Sequence, residues 1–213
     1  MKRLGKVKLL WTPEFAYAIG IIATDGNLSS DGRHLNITSK DLEMALTVKH
    51  ILGLSNKIGK KARGGAREKN YYVLQFGDKN FYDFLLSIGL TPAKSRTICK
   101  VDVPQQYFRD FLRGCIDGDG SIGAFSHPES KRPQIRLRLT SASPPFLAHM
   151  LSSIRNFFPV TGGHIYTEQR KSVSTLSFGK ADSLELLRLM YYEESLPCLK
   201  RKRTIAKDFL KGE

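Results

Sequence analysis

Polar and apolar residues alternate without interruption over residues 134–140, which run Gln-Ile-Arg-Leu-Arg-Leu-Thr. A period of two is typical of a strand with one face on a core and the other in solvent. Residues 34–38, His-Leu-Asn-Ile-Thr, alternate in the same phase. Both segments are therefore predicted to be strands with one apolar and one polar face.

Helical patterns lie between segments of this kind. Asp41 and Ser143 suit the N-cap position of two helices, and Pro144 suits a first helical turn. Gly64 and Gly65 mark a hairpin tip. The predicted helices span 14–25, 41–53, 78–88, 105–119, 144–157, 180–191 and 200–210, and the predicted hairpins span 27–39, 56–76, 121–141 and 162–178.

The second half of the chain repeats the first. Residues 18–26 and 112–120 are variants of one nine-residue motif that ends in Asp-Gly, at an offset of 94. Further along, Leu-Gln-Phe-Gly at 74–77 corresponds to Leu-Ser-Phe-Gly at 176–179, at an offset of 102. The change in offset predicts an insertion of eight residues around 127–133, a loop by composition.

These elements predict an α+β fold made of a pseudo-twofold pair of αββαββ halves. Each half is a four-stranded antiparallel sheet with helices on one face, and the two motif helices join the halves. We expect the first half over residues 1–90, a linker over 91–104, and the second half with a closing C-terminal helix over 105–213. At 213 residues the chain can give each half a core of its own.

Each motif carries a stripe of small residues. Gly20 and Thr24 are four residues apart, as are Gly114 and Gly118. Small residues at this spacing form a smooth stripe that lets two helices approach backbone to backbone. The motif helices are therefore expected to form the interface between the halves.

Each motif also ends in an acid, Asp25 in the first and Asp119 in the second. A carboxylate at the C-terminal end of a helix adds to the negative end of the helix dipole. If the two C-terminal ends meet, the carboxylates repel each other unless a divalent cation lies between them. Gly26 and Gly120 suit the left-handed residue that follows a helix. A lone Asp-Gly is more often a cap or a turn, but two copies at matching positions indicate a metal-dependent enzyme.

Charge indicates the substrate class. The net charge is +14 and the pI is near 9.8, with basic residues clustered in 57–69 and 200–207. This excess of positive charge favours a nucleic-acid partner, and solubility alone is the alternative explanation. Three cysteines without metal-ligand spacing fit a reducing compartment, and no apolar run reaches membrane-spanning length. We expect a cytoplasmic protein, or an organellar or nuclear one in a eukaryotic host.

The polar faces of the predicted strands carry side chains that can contact DNA. Arg, Asn and Gln pair bidentately with purine edges in the major groove, which admits a β-ribbon. For any single position, contact with water alone is an equally good interpretation. The residues expected on this face are His34, Asn36, Thr38, Lys57, Lys61, Arg63, Tyr71, Gln75, Gln134, Arg136, Arg138, Thr140, His164, Tyr166, Glu168 and Arg170.

The motifs resemble those of the LAGLIDADG homing endonucleases in their single-chain form with two motifs. The second motif, Leu-Arg-Gly-Cys-Ile-Asp-Gly-Asp-Gly, is close to the family pattern. The first has Ala23 where the pattern has an acid and Thr24 where it has a smaller residue. The resemblance covers the chain from about Glu14 to the C-terminal helix.

The resemblance implies a site-specific endonuclease that hydrolyses phosphodiester bonds in both strands of DNA. It implies a monomer whose two sheets form a saddle over a long, asymmetric target. Mg²⁺ is the implied cofactor, and Mn²⁺ or Ca²⁺ could substitute in binding. The acid at the eighth motif position is the family's metal ligand. It maps onto Asp25 and Asp119, not onto Asp117, and the carbonyls of Thr24 and Gly118 are expected to assist.

Further residues are candidates for the same site. A lysine near the acids could stabilise charge on the reacting phosphate. Lys94 is the candidate in the first half, and Lys200 or Lys202 in the second, with phosphate contact or a solvated basic patch as the alternative. Ser39 and Ser141 stand where the family carries a polar residue that orients water. A hydrogen bond at a helix start is their alternative role.

Two other functions on the same fold remain open at this point. One is a non-catalytic DNA-binding regulator, against which the retention of both acids argues. The other is an RNA maturase, with intron RNA as its partner. The sequence also leaves open whether the gene lies in an intron or an intein, or stands free.

Overall fold

A computed structural model describes residues 5–62, 68–126, 133–168 and 172–211. Arg63, Arg170, the expected tip at Gly64 and Gly65, and residues 127–132 of the expected loop lie outside the described residues. The helices are α1 (Pro13–Asp25), α2 (Leu42–Ile51), α3 (Lys79–Ser87), α4 (Phe108–Asp119), α5 (Pro144–Phe157), α6 (Lys180–Met190) and α7 (Lys200–Leu210), with short 3₁₀ helices at Lys94–Arg96 and Gln105–Tyr107. The strands are β1 (Gly26–Leu28), β2 (His34–Ser39), β3 (Ile58–Lys61), β4 (Tyr71–Gly77), β5 (Gly120–Phe125), β6 (Gln134–Ser141), β7 (His164–Thr167) and β8 (Ser174–Phe178).

Within the described ranges, the strands form two four-stranded antiparallel sheets with the same topology. Their strand orders are β1-β2-β4-β3 and β5-β6-β8-β7. The pairing is equivalent as well, because Asn36 lies opposite Gln75 in the first sheet and Arg138 lies opposite Ser177 in the second. The predicted α+β fold with two αββαββ halves is confirmed.

One face of each sheet is covered by helices. Leu35 and Ile37 of β2, and Leu137 and Leu139 of β6, retain at most 1% exposure. Burial of each such side chain contributes about 1.5–3 kcal/mol. The polar residues that alternate with them point away from the helices, so each sheet keeps an open face.

The motif helices α1 and α4 pack directly on each other. A Cβ on Gly20 would lie 2.3 Å from the carbonyl oxygen of Phe111, and a Cβ on Gly114 would lie 2.2 Å from that of Tyr17. Such distances leave no room for a side chain at either position. The structure therefore brings the two glycines together, backbone to backbone.

The glycines after the two acids are not left-handed, so that prediction is wrong. Gly26 has φ −80° and Gly120 has φ −95°, and both begin strands in extended conformation. Their small size is needed for another reason. A Cβ on Gly26 would lie 2.5 Å from the carbonyl oxygen of Ile22, and one on Gly120 would lie 2.6 Å from the Cα of Ile116. The chain turns directly from helix to strand, and only glycine fits the corner.

The predicted N-cap residues precede their helices, but neither side chain caps its helix. Asp41 instead accepts a hydrogen bond from the guanidinium of Arg201 at 3.0 Å. The hydroxyl of Ser143 donates to the carbonyl oxygen of Ile98. Tertiary partners from distant segments have replaced the local capping hydrogen bond.

Residues 91–104, the expected linker, pack along the body of the protein. Ile98 and Val101 are buried in the core. The N–H of Asp102 donates to the carbonyl oxygen of Ile88 at 2.9 Å. This anchoring fixes the position of Lys94, which lies in the same segment.

Candidate active site

Helices α1 and α4 each end in an aspartate, and the two ends converge. Asp25 and Asp119 line one cavity of about 490 Å³. Asp25 Oδ2 lies 3.2 Å from the point that a Cβ on Gly118 would occupy. Two helix C-termini thus direct negative charge into one space. The cavity is also lined by Thr24, Gly26, Asn27, Asn36, Thr38, Lys61, Lys94 and Ser95.

An adjoining cavity of about 200 Å³ extends the site towards the second sheet. It shares Thr24 and Asp119 with the first cavity and is also lined by Thr140 and Ser141 of β6. The first cavity is lined on its own side by Asn36 of β2, among others. The acids therefore lie between residues from the open faces of both sheets.

Thr24 fits the helix interface because its neighbour lacks a side chain. A Cβ on Gly118 would lie 2.0 Å from the hydroxyl oxygen of Thr24. That hydroxyl donates back to the carbonyl oxygens of Gly20 and Ile21, at 3.1 Å each. The larger residue in the first motif is thus accommodated by the smaller residue in the second.

Lys94 is a buried cation beside the acids. Its side chain is 4% exposed, and its Nζ donates to the carbonyl oxygen of Gly26 at 2.6 Å. Burial lowers the pKa of Lys94 to about 8, although the negative charges of Asp119 and Asp25 oppose the shift. The preceding residue, Ala93, has a left-handed backbone with φ 55°, which directs the chain into the 3₁₀ helix.

Lys202 is the equivalent residue of the second half. Its Nζ donates to the carbonyl oxygens of Gly120 at 2.8 Å, Asp117 at 2.9 Å and Ile116. Burial lowers its pKa to about 8 as well. Gly120 corresponds to Gly26 in the repeat, so Lys202, not Lys200, matches Lys94 in position. Lys200 is exposed at the start of α7.

The two candidate serines both make hydrogen bonds at helix starts. Ser39 Oγ accepts from the N–H of Asp41, and Ser141 Oγ accepts from the N–H of Ser143, both at 3.1 Å. Ser141 also lines the smaller cavity beside Asp119. Their alternative role, at the start of a helix, is what the geometry records, and orientation of water stays a prediction.

The described residues expected to contact DNA follow the strand register. Pairing places Asn36 beside Gln75, Lys61 beside Tyr71, and Tyr166 beside Thr175 on the open faces. His34, Thr38, Gln134, Arg136, Arg138, Thr140 and His164 share these faces by alternation, and Lys57 and Glu168 flank β3 and β7.

Sequence reasoning missed three residues of the open faces. Asn27 of β1 lies opposite Asn36, and Ser121 of β5 and Ser177 of β8 lie on either side of Arg138. Extending the alternation from each Asp-Gly into the next strand would have found Asn27 and Ser121. Ser177 lies between Leu176 and Phe178 in the same alternation, but it is itself buried, at 3% exposure.

Asp117 belongs to the interior and not to the cavity. Its Oδ2 accepts hydrogen bonds from the Tyr17 hydroxyl at 2.9 Å and from the N–H of Leu199 at 2.7 Å. The side chain is fully buried, and burial raises its pKa to about 6, against the effect of these hydrogen bonds and of the Lys202 charge. Asp117 thus ties both motif helices to the segment before α7.

Replacing Asp117 with asparagine is expected to change the pH dependence of stability. The pKa of Asp117 is about 6 when folded and 3.8 in its ordinary range, so the folded chain binds this proton more tightly. The group therefore costs stability as pH rises from about 4 to 6. Asparagine does not ionise, so D117N should gain on wild type by up to about 3 kcal/mol over that interval. Urea unfolding of both proteins at several pH values measures the gain. A pH-independent difference between them contradicts the assignment.

Comparison with known proteins agrees with this architecture. Residues 12–89 match the sequence model of the LAGLIDADG-like domain. No curated protein sequence matches the chain significantly. None of the described helices is both long enough and apolar enough to cross a membrane.

Solved structures share the fold over nearly the whole chain. The homing endonuclease I-DmoI in complex with DNA and Ca is 17% identical, with a TM-score of 0.60 over 92% of this chain and 97% of its own. The LAGLIDADG homing endonuclease I-SmaMI bound to cleaved DNA is 14% identical, with a TM-score of 0.59 over 98% and 90%. DUF199/WhiA from Thermatoga maritima is 15% identical, with a TM-score of 0.57. The match covers 97% of this chain but only 63% of the length of WhiA. The resemblance expected from the motifs is confirmed, by sequence for residues 12–89 and by fold for the chain.

Proposed function

We propose that this chain, which has the fold of the LAGLIDADG homing endonucleases, is a site-specific double-strand DNA endonuclease. It acts as a monomer, with a divalent metal, on a long target whose two halves differ in sequence. The observation that carries the proposal is the convergence of Asp25 and Asp119 in one cavity between residues of the two open sheet faces.

The groups around the cavity suit a hard divalent cation. Two carboxylates, with the carbonyls of Thr24 and Gly118 before them, are the oxygen donors that Mg²⁺ and Ca²⁺ prefer. In the described ranges, no cluster of three His, Cys, Asp or Glu residues could hold a metal. Mg²⁺ does not require one, because it is commonly bound by one or two carboxylates together with water and substrate phosphates. I-DmoI was crystallised with DNA and Ca, and a variant of it with Mn. Asp25 and Asp119 are the residues that would hold Mg²⁺ here.

Lys94 and Lys202 have separate roles beside the two acids. A bound metal ion would supply a more acidic water and stabilise the departing oxygen. Lys94, fixed on the carbonyl of Gly26 and close to both acids, places a positive charge where the reacting phosphate would gain negative charge. Its pKa of about 8 keeps it mostly protonated at neutral pH. Lys202 directs its ammonium group to three carbonyls at the end of α4, so it acts as a positioning residue for Asp119.

The open faces supply the DNA-binding surface. Lys57 and Arg136 are exposed, and the net charge of the chain is +14. Contacts to phosphates would make the affinity fall steeply with salt, whatever the sequence of the duplex. Sequence preference would come from the polar side chains that alternate along the strands.

The test is cleavage of a supercoiled plasmid library that carries randomised inserts. In Mg²⁺ the purified chain should linearise a small, related set of plasmids, and chelation of the metal should prevent this. A chain that binds selected duplexes but never cuts them in Mg²⁺ is a regulator and not an endonuclease. Tighter binding to intron RNA than to the selected duplex would indicate the maturase function instead.

A further inference from the structure

The first sheet presents a row of three side-chain amides on its open face. Asn27 of β1 lies opposite Asn36 of β2, and Asn36 lies opposite Gln75 of β4. No described residue hydrogen-bonds these amide groups, and Asn27 and Gln75 are exposed. The row therefore crosses three strands with its donors and acceptors available to a ligand.

The second sheet presents different chemistry in the equivalent row. Arg138 of β6 lies between Ser121 of β5 and Ser177 of β8, and His164 of β7 lies beyond Ser177. The repeat offsets of 94 and 102 relate Asn27 to Ser121, Asn36 to Arg138 and Gln75 to Ser177. One guanidinium between two hydroxyls thus replaces three amides. Within the described part of the chain, the Nε of Arg138 has no hydrogen-bond partner.

Each row begins close to an acid. Asn27 follows Asp25 by two residues, and Ser121 follows Asp119 by two residues. Asn27 and Asn36 also line the larger cavity together with both acids. On a bound duplex, each row would meet bases close to the phosphates that lie at the cavity.

The two rows prefer different bases in the major groove. Asn and Gln pair bidentately with the N6 and N7 edge of adenine, whereas Arg pairs bidentately with the O6 and N7 edge of guanine. The serines on either side of Arg138 are too small to form a bidentate pair with a base edge, whereas the Arg138 guanidinium can form one. We propose that the two half-sites of the target differ at these equivalent positions, with adenine contacted by the amide row and guanine contacted by Arg138. The inference rests on the DNA-binding part of the proposed function and not on cleavage.

The test is selection of bound sequences from a randomised duplex library, with the full chain in Ca²⁺ buffer. The wild-type consensus should contain adenine on one side of the centre and guanine at the equivalent position on the other. R138N should replace that guanine with adenine and leave the first half-site unchanged. N36R should make the converse change in the first half-site. Each exchange should alter the relative affinity for the two bases by about 5- to 150-fold.

A matched control is R188N, the same substitution on α6 in the helix layer, which should leave the consensus unchanged. Thermal melting shows which variants are folded, and either R138N or N36R alone is sufficient for the decision. The proposal is overturned if guanine persists in a folded R138N or, where only N36R folds, if adenine persists in N36R. It is also overturned if R138N lowers affinity for all sequences equally, because Arg138 then contacts phosphate. A wild type that binds an asymmetric consensus without cutting it rejects the endonuclease but supports this inference.

Discussion

Asp119→Asn is expected to abolish cleavage of a duplex that the variant still binds. Changes to residues that only support metal ligands commonly cost about 10- to 100-fold, so loss of a ligand itself should cost more than about 100-fold. Binding should be equal or tighter, because one negative charge beside the phosphates is removed. D25N should behave in the same way, since both carboxylates line one cavity. Gel assays of cleavage in Mg²⁺ and of binding in Ca²⁺ measure the two effects separately.

The matched control for this experiment is Asp117→Asn, the same substitution in the same helix. The Asp117 side chain is buried among Tyr17 and Leu199 and does not line the cavity. D117N should therefore cut at close to the wild-type rate at neutral pH. Normal cleavage by D119N, or equal loss of cleavage in D119N and D117N, would contradict the assignment of Asp119. Nicking of one strand by D119N would show that each acid serves one strand independently.

Much of the fold could be predicted because local patterns and the internal repeat agree. The alternation in residues 134–140 defines β6, and the offset of 102 carries the same assignment to β2. Helix α5 begins and ends at the predicted residues, 144 and 157, and its start is fixed by Pro144 in the first turn. Where two halves repeat, each ambiguous segment is interpreted twice.

The errors arise where tertiary contacts decide the outcome. The sequence predicts a left-handed conformation for Gly26 and Gly120, because glycine commonly ends a helix that way. In the structure, glycine is required at both positions because the strand begins directly against the preceding helical turn, which leaves no room for a Cβ. Likewise, Lys200 and Lys202 could not be distinguished from sequence. Only the folded chain shows which ammonium group reaches the carbonyl of Gly120.

Gly114→Ala is expected to destabilise the whole protein, despite the higher helix propensity of alanine. Propensity alone would favour alanine by about 1 kcal/mol. The new Cβ would lie 2.2 Å from the carbonyl oxygen of Tyr17 and 3.0 Å from the Cα of Gly20, and backbone atoms cannot rotate away. Helices α1 and α4 would have to separate at the interface that joins the two halves. We expect a net loss of about 3 kcal/mol or more in the free energy of unfolding, at the upper end for overpacked cores.

Urea or thermal unfolding followed by circular dichroism measures this loss. Gly123→Ala is the control, because a Cβ there would meet its nearest neighbour, the carbonyl oxygen of Arg136, at 4.0 Å. That variant should unfold within about 0.5 kcal/mol of wild type, as most surface substitutions do. Equal stability of G114A and G123A would mean that α1 and α4 are further apart than the 2.2 Å between a Gly114 Cβ and the Tyr17 carbonyl oxygen requires. In that case Asp25 and Asp119 could not share one cavity, because the packing of α1 on α4 determines how closely the two helix ends approach.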